Sequence, residues 1–282
     1  MGEGKYIMLF NFELKPPLKC AGLENPKKSD SYVGWFYLTD SKYFIDLEET
    51  KLFQHSVQWL EKYKDEYPPD VQFQEYQYSR QLEDLFDILP TIACPMPNDL
   101  YALVETDEKR DLLRDVIVDV WETENPDGTS WNEADEKYDN ISRHLLYYGS
   151  LDSGYLRVRA DCQFFNVDGT VFIRYNFIDE DEGGCPVWSA NKGIYTLPYE
   201  KFIYEIDDLL NRFFSAMDKQ VETATQIFSE ETVKKCNLIS EHAARKKYFY
   251  GILESLKNNN YENQIDWQKL RSDLNYFQDK TF

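Results

Sequence analysis

Apolar and polar positions follow two grammars along this chain: short aromatic runs broken by polar turns, and longer stretches in which apolar residues recur every three or four positions. Gly34-Trp35-Phe36-Tyr37-Leu38 and Tyr43-Phe44-Ile45-Asp46-Leu47 flank the polar Thr39-Asp40-Ser41-Lys42, which predicts a β-hairpin. Lys51-Leu52-Phe53-Gln54 predicts a third strand. Ser56 then stands where a helix carrying Val57, Leu60 and Tyr63 needs its N-cap, and Pro68-Pro69 ends that helix.

The same grammar returns near residue 162. Cys162-Gln163-Phe164-Phe165-Asn166 and Val171-Phe172-Ile173-Arg174-Tyr175 surround Asp168-Gly169, a dipeptide suited to the positive φ angles of a tight hairpin. Lys192-Gly193-Ile194-Tyr195-Thr196 predicts a further strand, and Pro198 opens a helix in which Phe202, Ile206, Leu209, Phe213 and Met217 share one face. Aligning Asp40 with Asp168, Phe44 with Phe172 and Ser56 with Pro198 gives two diverged hairpin-strand-helix units, about residues 8–68 and 151–229. Between them, residues 69–150 read as a helical insert: a helix from Glu75 to Leu89 ended by Pro90, a loop at Cys94–Asn98, a helix from Asp107 to about Trp121, and one from Ser130 to Tyr148 stopped by Gly149. From 230 to 282 the chain reads as a helical tail on Val233, Ile239, Ile252 and Leu256, then Trp267, Leu270, Leu274 and Phe277. The expected class is α+β with antiparallel sheet, residues 1–229 forming one domain and 230–282 a helical C-terminal tail.

Composition narrows the function classes. Of 282 residues, 16% are aromatic, enough to build a core largely of rings. The first residues lack a secretory pattern, no apolar run approaches the length of a membrane span, and the mean hydropathy is -0.62. Five scattered cysteines without a C-x-x-C pair predict reduced thiols and a cytoplasmic location. The net charge of -20 repels nucleic acid and anionic membranes and attracts cationic proteins. That charge is unevenly spread: Glu105 to Asp139 holds 13 acids and 4 bases, whereas 231–282 holds 7 acids and 9 bases. Along the Asp107 helix, Asp107, Asp111, Asp115 and Asp119 repeat at i, i+4 beside an apolar stripe of Leu112, Leu113, Val116, Ile117, Val120 and Trp121. Each such like-charged pair costs about 0.2–0.5 kcal/mol unless a cation offsets it.

Motifs for catalysis are sparse. There is no G-x-S-x-G elbow, phosphate-binding glycine loop or H-E-x-x-H helix, so neither catalytic residues, a metal nor a cofactor is expected. His55, His144 and His242 are far apart in sequence; His55 reads as a packed structural residue, His144 as a helix-surface residue and Cys162 as a buried thiol. The run Asp179-Glu180-Asp181-Glu182 reads as a solvated strand connection.

The stretches Phe10-Asn11-Phe12-Glu13-Leu14, Trp35 to Asp46, Leu52-Phe53, Asp152-Ser153-Gly154-Tyr155-Leu156, Val187-Trp188-Ser189-Ala190 and Gly193 to Pro198 together resemble an uncharacterised bacterial domain-of-unknown-function family over about residues 8–225. The resemblance carries no catalytic residues, and its general look is that of acidic immunity proteins that accompany toxins. The sequence therefore suggests an inhibitor of a basic toxin, with the partner-binding surface formed by Asp107, Asp111, Asp115, Asp119, Glu122, Glu124, Asp127 and Trp131, with Asp179, Glu180, Asp181 and Glu182 beside it; Trp121 is a further candidate anchor. The alternatives are an enzyme acting on a small ligand in a cleft between the two related halves, with Asp40, Asp152 or Asp168 as acid or base, and a scaffold subunit of a defence system.

Overall fold

The computed structural model describes residues 8–20, 34–66, 71–124, 131–156, 158–230, 233–258 and 265–280. Phe10–Leu14 (β1) lies antiparallel to Asp40–Asp46 (β2), with Phe10 opposite Ile45 and Leu14 opposite Ser41. On its other edge β2 pairs with both Lys51–Leu52 (β3) and Gln74–Gln77 (β4). The expected first hairpin is thus replaced: Trp35–Thr39 is a 3-10 turn, and Asp40 to Lys42, expected as a polar turn, begins β2. Strand propensity lost here to packing, because the three-residue period of a 3-10 turn sends both Trp35 and Leu38 into the core, where each is fully buried. The Trp35 indole N–H donates to His242 Nδ1 at 3.0 Å, and His242 Nε2 lies 2.7 Å from Asp218 Oδ1. With Nδ1 accepting, Nε2 carries the ring proton in a neutral imidazole.

The second hairpin forms as the sequence predicts. Asp161–Val167 (β5) and Thr170–Asn176 (β6) pair antiparallel across Asp168 and Gly169, whose φ angles are 48° and 74°, and Lys192–Pro198 (β7) completes a three-stranded sheet on β6. Asp40 and Asp168 occupy different positions, the first starting a strand and the second lying in a turn. Ser56 caps Val57–Lys62 (α1), accepting the Trp59 N–H at 3.0 Å and donating to the Pro186 carbonyl at 2.5 Å. The two sheets are stitched there, since Ser56 N–H reaches Val187 O and Ser189 N–H reaches Gln54 O, each at 2.8 Å.

The insert differs in detail from its expectation. Glu75 belongs to β4, and Tyr78–Ile92 (α2) runs on through Pro90. Asn98–Val104 (α3), unforeseen in the sequence, follows the loop. Asp107–Glu124 (α4) is as expected, while Glu133–Ile141 (α5) continues as a π turn over Ser142–Leu146 before Gly149. Gly149 has φ 57°, and a Cβ there would stand 2.1 Å from the Phe164 carbonyl oxygen, so only glycine fits. Pro68-Pro69, Asp127 and Ser130 lie outside the described residues.

Tyr199–Ile227 (α6) buries its entire expected face: Phe202, Ile206, Leu209, Phe213 and Met217 are each 0% exposed. Those side chains join β1, β2 and one face of β5, through Cys162 and Phe164, in the larger hydrophobic cluster. Alternation along β5 turns Phe165 and Val167 to the opposite face, where α3, α4 and α5 build a second cluster. Lys235–Lys257 (α7) supplies Leu238, Phe249, Leu253 and Leu256 to the first cluster, and Trp267–Gln278 (α8) supplies Leu270, Leu274 and Phe277 to the second. The fold is mixed α+β with two antiparallel sheets and a helical C-terminal part. Among the described residues no helix is long and apolar enough to cross a membrane. All five cysteines are free thiols.

Ser56→Ala removes both the helix cap and the bond to Pro186, and is expected to lower the unfolding free energy by about 1–2 kcal/mol. Urea denaturation measures this, and Ser56→Thr, which keeps the hydroxyl, is expected to retain most of the parent stability.

Candidate functional site

The start of α4 is fixed by a buried polar hub on the second sheet. Gln163 Oε1 accepts from Arg110 at 3.0 Å and from Arg174, whose other terminal nitrogen donates to Val104 O. The Gln163 amide nitrogen in turn donates to Ser150 Oγ at 2.6 Å and to the Leu146 carbonyl at 3.1 Å. Asp107 closes the hub, 3.4 Å from Arg110 and 3.5 Å from Arg174, and accepts from Asn176 at 2.9 Å. Burial pulls the Arg174 guanidinium down to about 10, helped by the neighbouring Arg110 charge, so it stays protonated at neutral pH. Asp107, expected on the open acidic face, is instead half-buried and committed to these contacts.

Beyond that anchor the carboxylates of α4 and α5 form a surface ridge that is partly neutralised. Arg114 lies 3.2 Å from both Asp111 and Asp115, Lys192 reaches Glu108 at 3.3 Å, and Arg143 reaches Asp139 at 3.1 Å. Cations of α8 and of the turn after it fold back onto the same region, Lys269 to Glu136 at 3.6 Å and Lys280 to Glu124 at 2.9 Å. Charge that is segregated along the sequence is therefore offset in space. Asp119 and Glu122, both exposed, have no cation in ion-pair range among the described residues.

That end of α4 meets the start of α5 at a well-made corner. Asn132 caps α5 in a reciprocal box with Asp135, and its side-chain amide also reaches the Glu124 carbonyl at 3.5 Å. Trp121 stacks on Tyr138 with centroids 4.8 Å apart and donates to Asp135 at 2.8 Å, so it is a structural residue rather than an open anchor. Trp131, immediately before the cap, is 74% exposed. Leu112, expected in the apolar stripe, faces outward at 68% exposure, while Ile117 and Val120 are the α4 side chains that are buried.

The run from Asp179 to Glu182 is divided. Asp179, Glu180 and Glu182 are exposed, but Asp181 turns inward, taking Lys62 at 2.8 Å, the Tyr63 hydroxyl at 2.7 Å and the N–H groups of Gly183 and Cys185. Those donors, Lys62 first, hold its carboxyl well below the usual carboxylate range. As with Asp107, a residue expected to face a partner is committed to the fold.

Concavities of two sizes lie among the described residues. The larger, about 610 Å³, is lined by Arg110 and by residues within 147–156 and 159–163, and among the described residues its charged groups are Arg110, Arg159, Asp152 and Asp161. Arg159 and Asp161 are 2.6 Å apart, and Asp152 takes Arg80 at 3.0 Å. Cys162 lines it as a buried thiol whose pKa burial pushes far up, which leaves it a poor nucleophile. Asp40 is buried against Lys15 and Asp168 accepts from Asn98 at 2.6 Å, so Asp152 alone of the three proposed acids lines this cavity. Among the described residues no group of three metal-ligating side chains converges.

The smaller concavity, about 150 Å³, is walled by His55, Trp59 and Trp188. His55 is stacked between the two indoles with centroids 4.1 and 5.3 Å away, and burial lowers its pKa to about 4. The sequence reading of His55 as packed is thus correct. A second perturbed group was invisible in the sequence: Asp84 on α2, 6% exposed, is raised to about 7 by burial, against the pull of Arg80 at 3.3 Å. A carboxylate on a helix carries no mark of its eventual burial, so only the packing of α2 reveals it.

These features define an acidic α+β protein in which two antiparallel sheets share one long helix. The chain belongs to a family of unknown function (DUF5984), whose profile matches residues 9–273 and so takes in α7 and most of α8. No curated protein and no solved structure matches it.

The two perturbed groups act on stability with opposite sign. His55 falls from 6.5 unfolded to about 4 folded, so its contribution is complete above 6.5 and is lost as pH falls toward 4. Asp84 rises from 3.8 to about 7, so its contribution is complete below 3.8 and is lost as pH rises toward 7. Between pH 4.5 and 6.5, relative to the parent protein, Asp84→Asn is expected to gain stability with rising pH and His55→Phe to lose it, each by about 1 kcal/mol per pH unit. Denaturant titrations at three pH values in that range measure both slopes.

Proposed function

We propose that this protein binds a cationic protein at the corner where α4 meets α5, and that it serves as an immunity factor, inhibiting a basic bacterial toxin from the cytoplasm. The observation that carries the reading is Trp131, 74% exposed and next in the chain to the cap that reaches the C-terminal end of α4, the helix on which Asp119 and Glu122 have no cation in ion-pair range among the described residues. Exposed tryptophan is costly to leave in water and is the residue type most enriched among interface anchors. Asp119 and Glu122 add an electrostatic argument. Glu122 sits in the last turn of α4, where the helix dipole disfavours negative charge by about 0.3–1 kcal/mol, and Asp119 repeats the charge of Asp115 one turn earlier. A cationic partner offsets both penalties. Leu112 is exposed on the same helix, and the chain's -20 charge accelerates the encounter.

The 610 Å³ cavity supports a second reading, in which a small polar molecule is bound or transformed beside Arg159, Asp152 and Asp161. Its described lining carries charges of both signs, which suits a zwitterionic molecule. The two readings separate by mutation, because the cavity residues and the α4–α5 corner share no side chain.

The test is affinity capture from the native host with the parent protein and with the triple variant Asp119→Lys/Glu122→Lys/Trp131→Ala. The parent is expected to retain a basic protein whose association slows steeply with added salt, and the variant, unchanged by circular dichroism, to bind it at least about a hundredfold more weakly. A captured partner whose association ignores salt, or whose affinity survives the triple change, overturns the reading.

A further inference from the structure

The two edges of the β5-β6-β7 sheet are treated differently by the fold. The β5 edge is covered: Leu151 N–H donates to Cys162 O at 2.8 Å, Phe164 N–H to Gly149 O at 2.9 Å, and Met96 N–H to Asn166 O at 2.7 Å. The β7 edge has no such cover among the described residues. Its hydrogen-bonding phase follows from the bonds bracketing the ladder, Phe177 N–H to Asn191 O at 2.7 Å and Tyr199 N–H to Gly169 O at 2.9 Å. Antiparallel pairs alternate, so Gly193, Tyr195 and Leu197 bond to β6, while Lys192, Ile194 and Thr196 turn their N–H and C=O groups outward. Among the described residues no hydrogen bond reaches those outward backbone groups.

Proteins ordinarily blunt an open edge with proline, a bulge or an inward-pointing charge. Here the β6–β7 register is continuous over seven residues, proline occurs only at the final position, and the one charge, Lys192, is held by Glu108 at 3.3 Å. Ile194 is 50% exposed in the middle of the strand.

We propose that β7 is a strand-addition site, taking an extended cationic segment of another protein as the fourth strand of this sheet. Main-chain bonds to Ile194 and Thr196 supply the attachment, and alternate side chains of the incoming segment lie against Ile194 on the exposed face. Charge selects the occupant. Glu108 cancels the Lys192 charge at one end, Glu48 accepts the Tyr195 hydroxyl at 3.1 Å, and exposed Glu200 follows Pro198 at the other end. A second copy of this chain brings another -20 charges to that edge and is repelled, whereas a lysine-rich strand is attracted. This site is separate from the α4–α5 corner and does not depend on the reading made there.

The test uses the full chain and an acetylated, amidated peptide of alternating lysine and valine, eight residues long, with a glutamate-valine peptide of the same length as control. Amide hydrogen exchange followed by NMR is expected to show the cationic peptide slowing exchange at Ile194 and Thr196, with no change at Gly193 or Leu197, which already bond to β6. Thr196→Pro, which deletes an outward N–H and leaves the β6 ladder intact, is expected to weaken binding about tenfold, while Thr196→Ala leaves it unchanged. Absent binding, binding without protection of Ile194 and Thr196, equal protection by the glutamate peptide, or concentration-dependent protection by the chain itself would each overturn the proposal.

Discussion

The side-chain amide of Gln163 organises the half of the molecule that faces solvent with most charge. Two guanidinium groups converge on its oxygen, and three acceptors from the turn after α5 surround its nitrogen. Each guanidinium would be costly to bury alone, and the arrangement is stable because Asp107 supplies a counter-charge while Val104 and Gln163 accept the remaining protons. The position of α4 follows from that closure. So does the 610 Å³ cavity, since Arg110 and Gln163 belong both to the hub and to the cavity wall. Carboxylate placement on the outer face of α4 is a downstream effect of one buried amide.

A second constraint is the two-sided burial of β5. An antiparallel strand commonly shows one face to water, but Phe164 and Phe165 enter different hydrophobic clusters, and nearly every residue from Cys162 to Val167 is buried. This explains why the run Cys162-Gln163-Phe164-Phe165-Asn166 lacks alternation. Its polar members are satisfied internally, Gln163 by the hub and Asn166 by donating to the Ile92 carbonyl at 3.0 Å. The acidic helices are thereby fastened to the sheet by both apolar packing and hydrogen bonds.

Features with a local cause were legible in the sequence. The Asp168-Gly169 turn, the Ser56 cap, the α6 face and the boundaries of α4 each follow from residues within a few positions of one another. Features decided by distant partners were not. Trp35 forms a 3-10 turn because His242, some two hundred residues later, accepts its N–H, and the strand it was expected to pair with finds β1 instead. The acidic surface was legible in outline and wrong in part. Asp107 and Asp181 are indistinguishable in sequence from Asp115 and Glu180, yet the fold supplies them with Arg174 and Lys62 and turns them inward. Charge counted along a chain says how many carboxylates exist; only the fold decides which of them meet water.

The C-terminal helices close both interiors. Leu253 and Leu256 of α7 complete the cluster around α6, and Leu270, Leu274 and Phe277 of α8 complete the one beneath α4 and α5. During synthesis, therefore, neither interior can seal until α7 and α8 have left the ribosome. Until then the nascent chain holds the apolar sides of α4, α5 and α6 uncovered, and surface of that kind draws incomplete chains into aggregates.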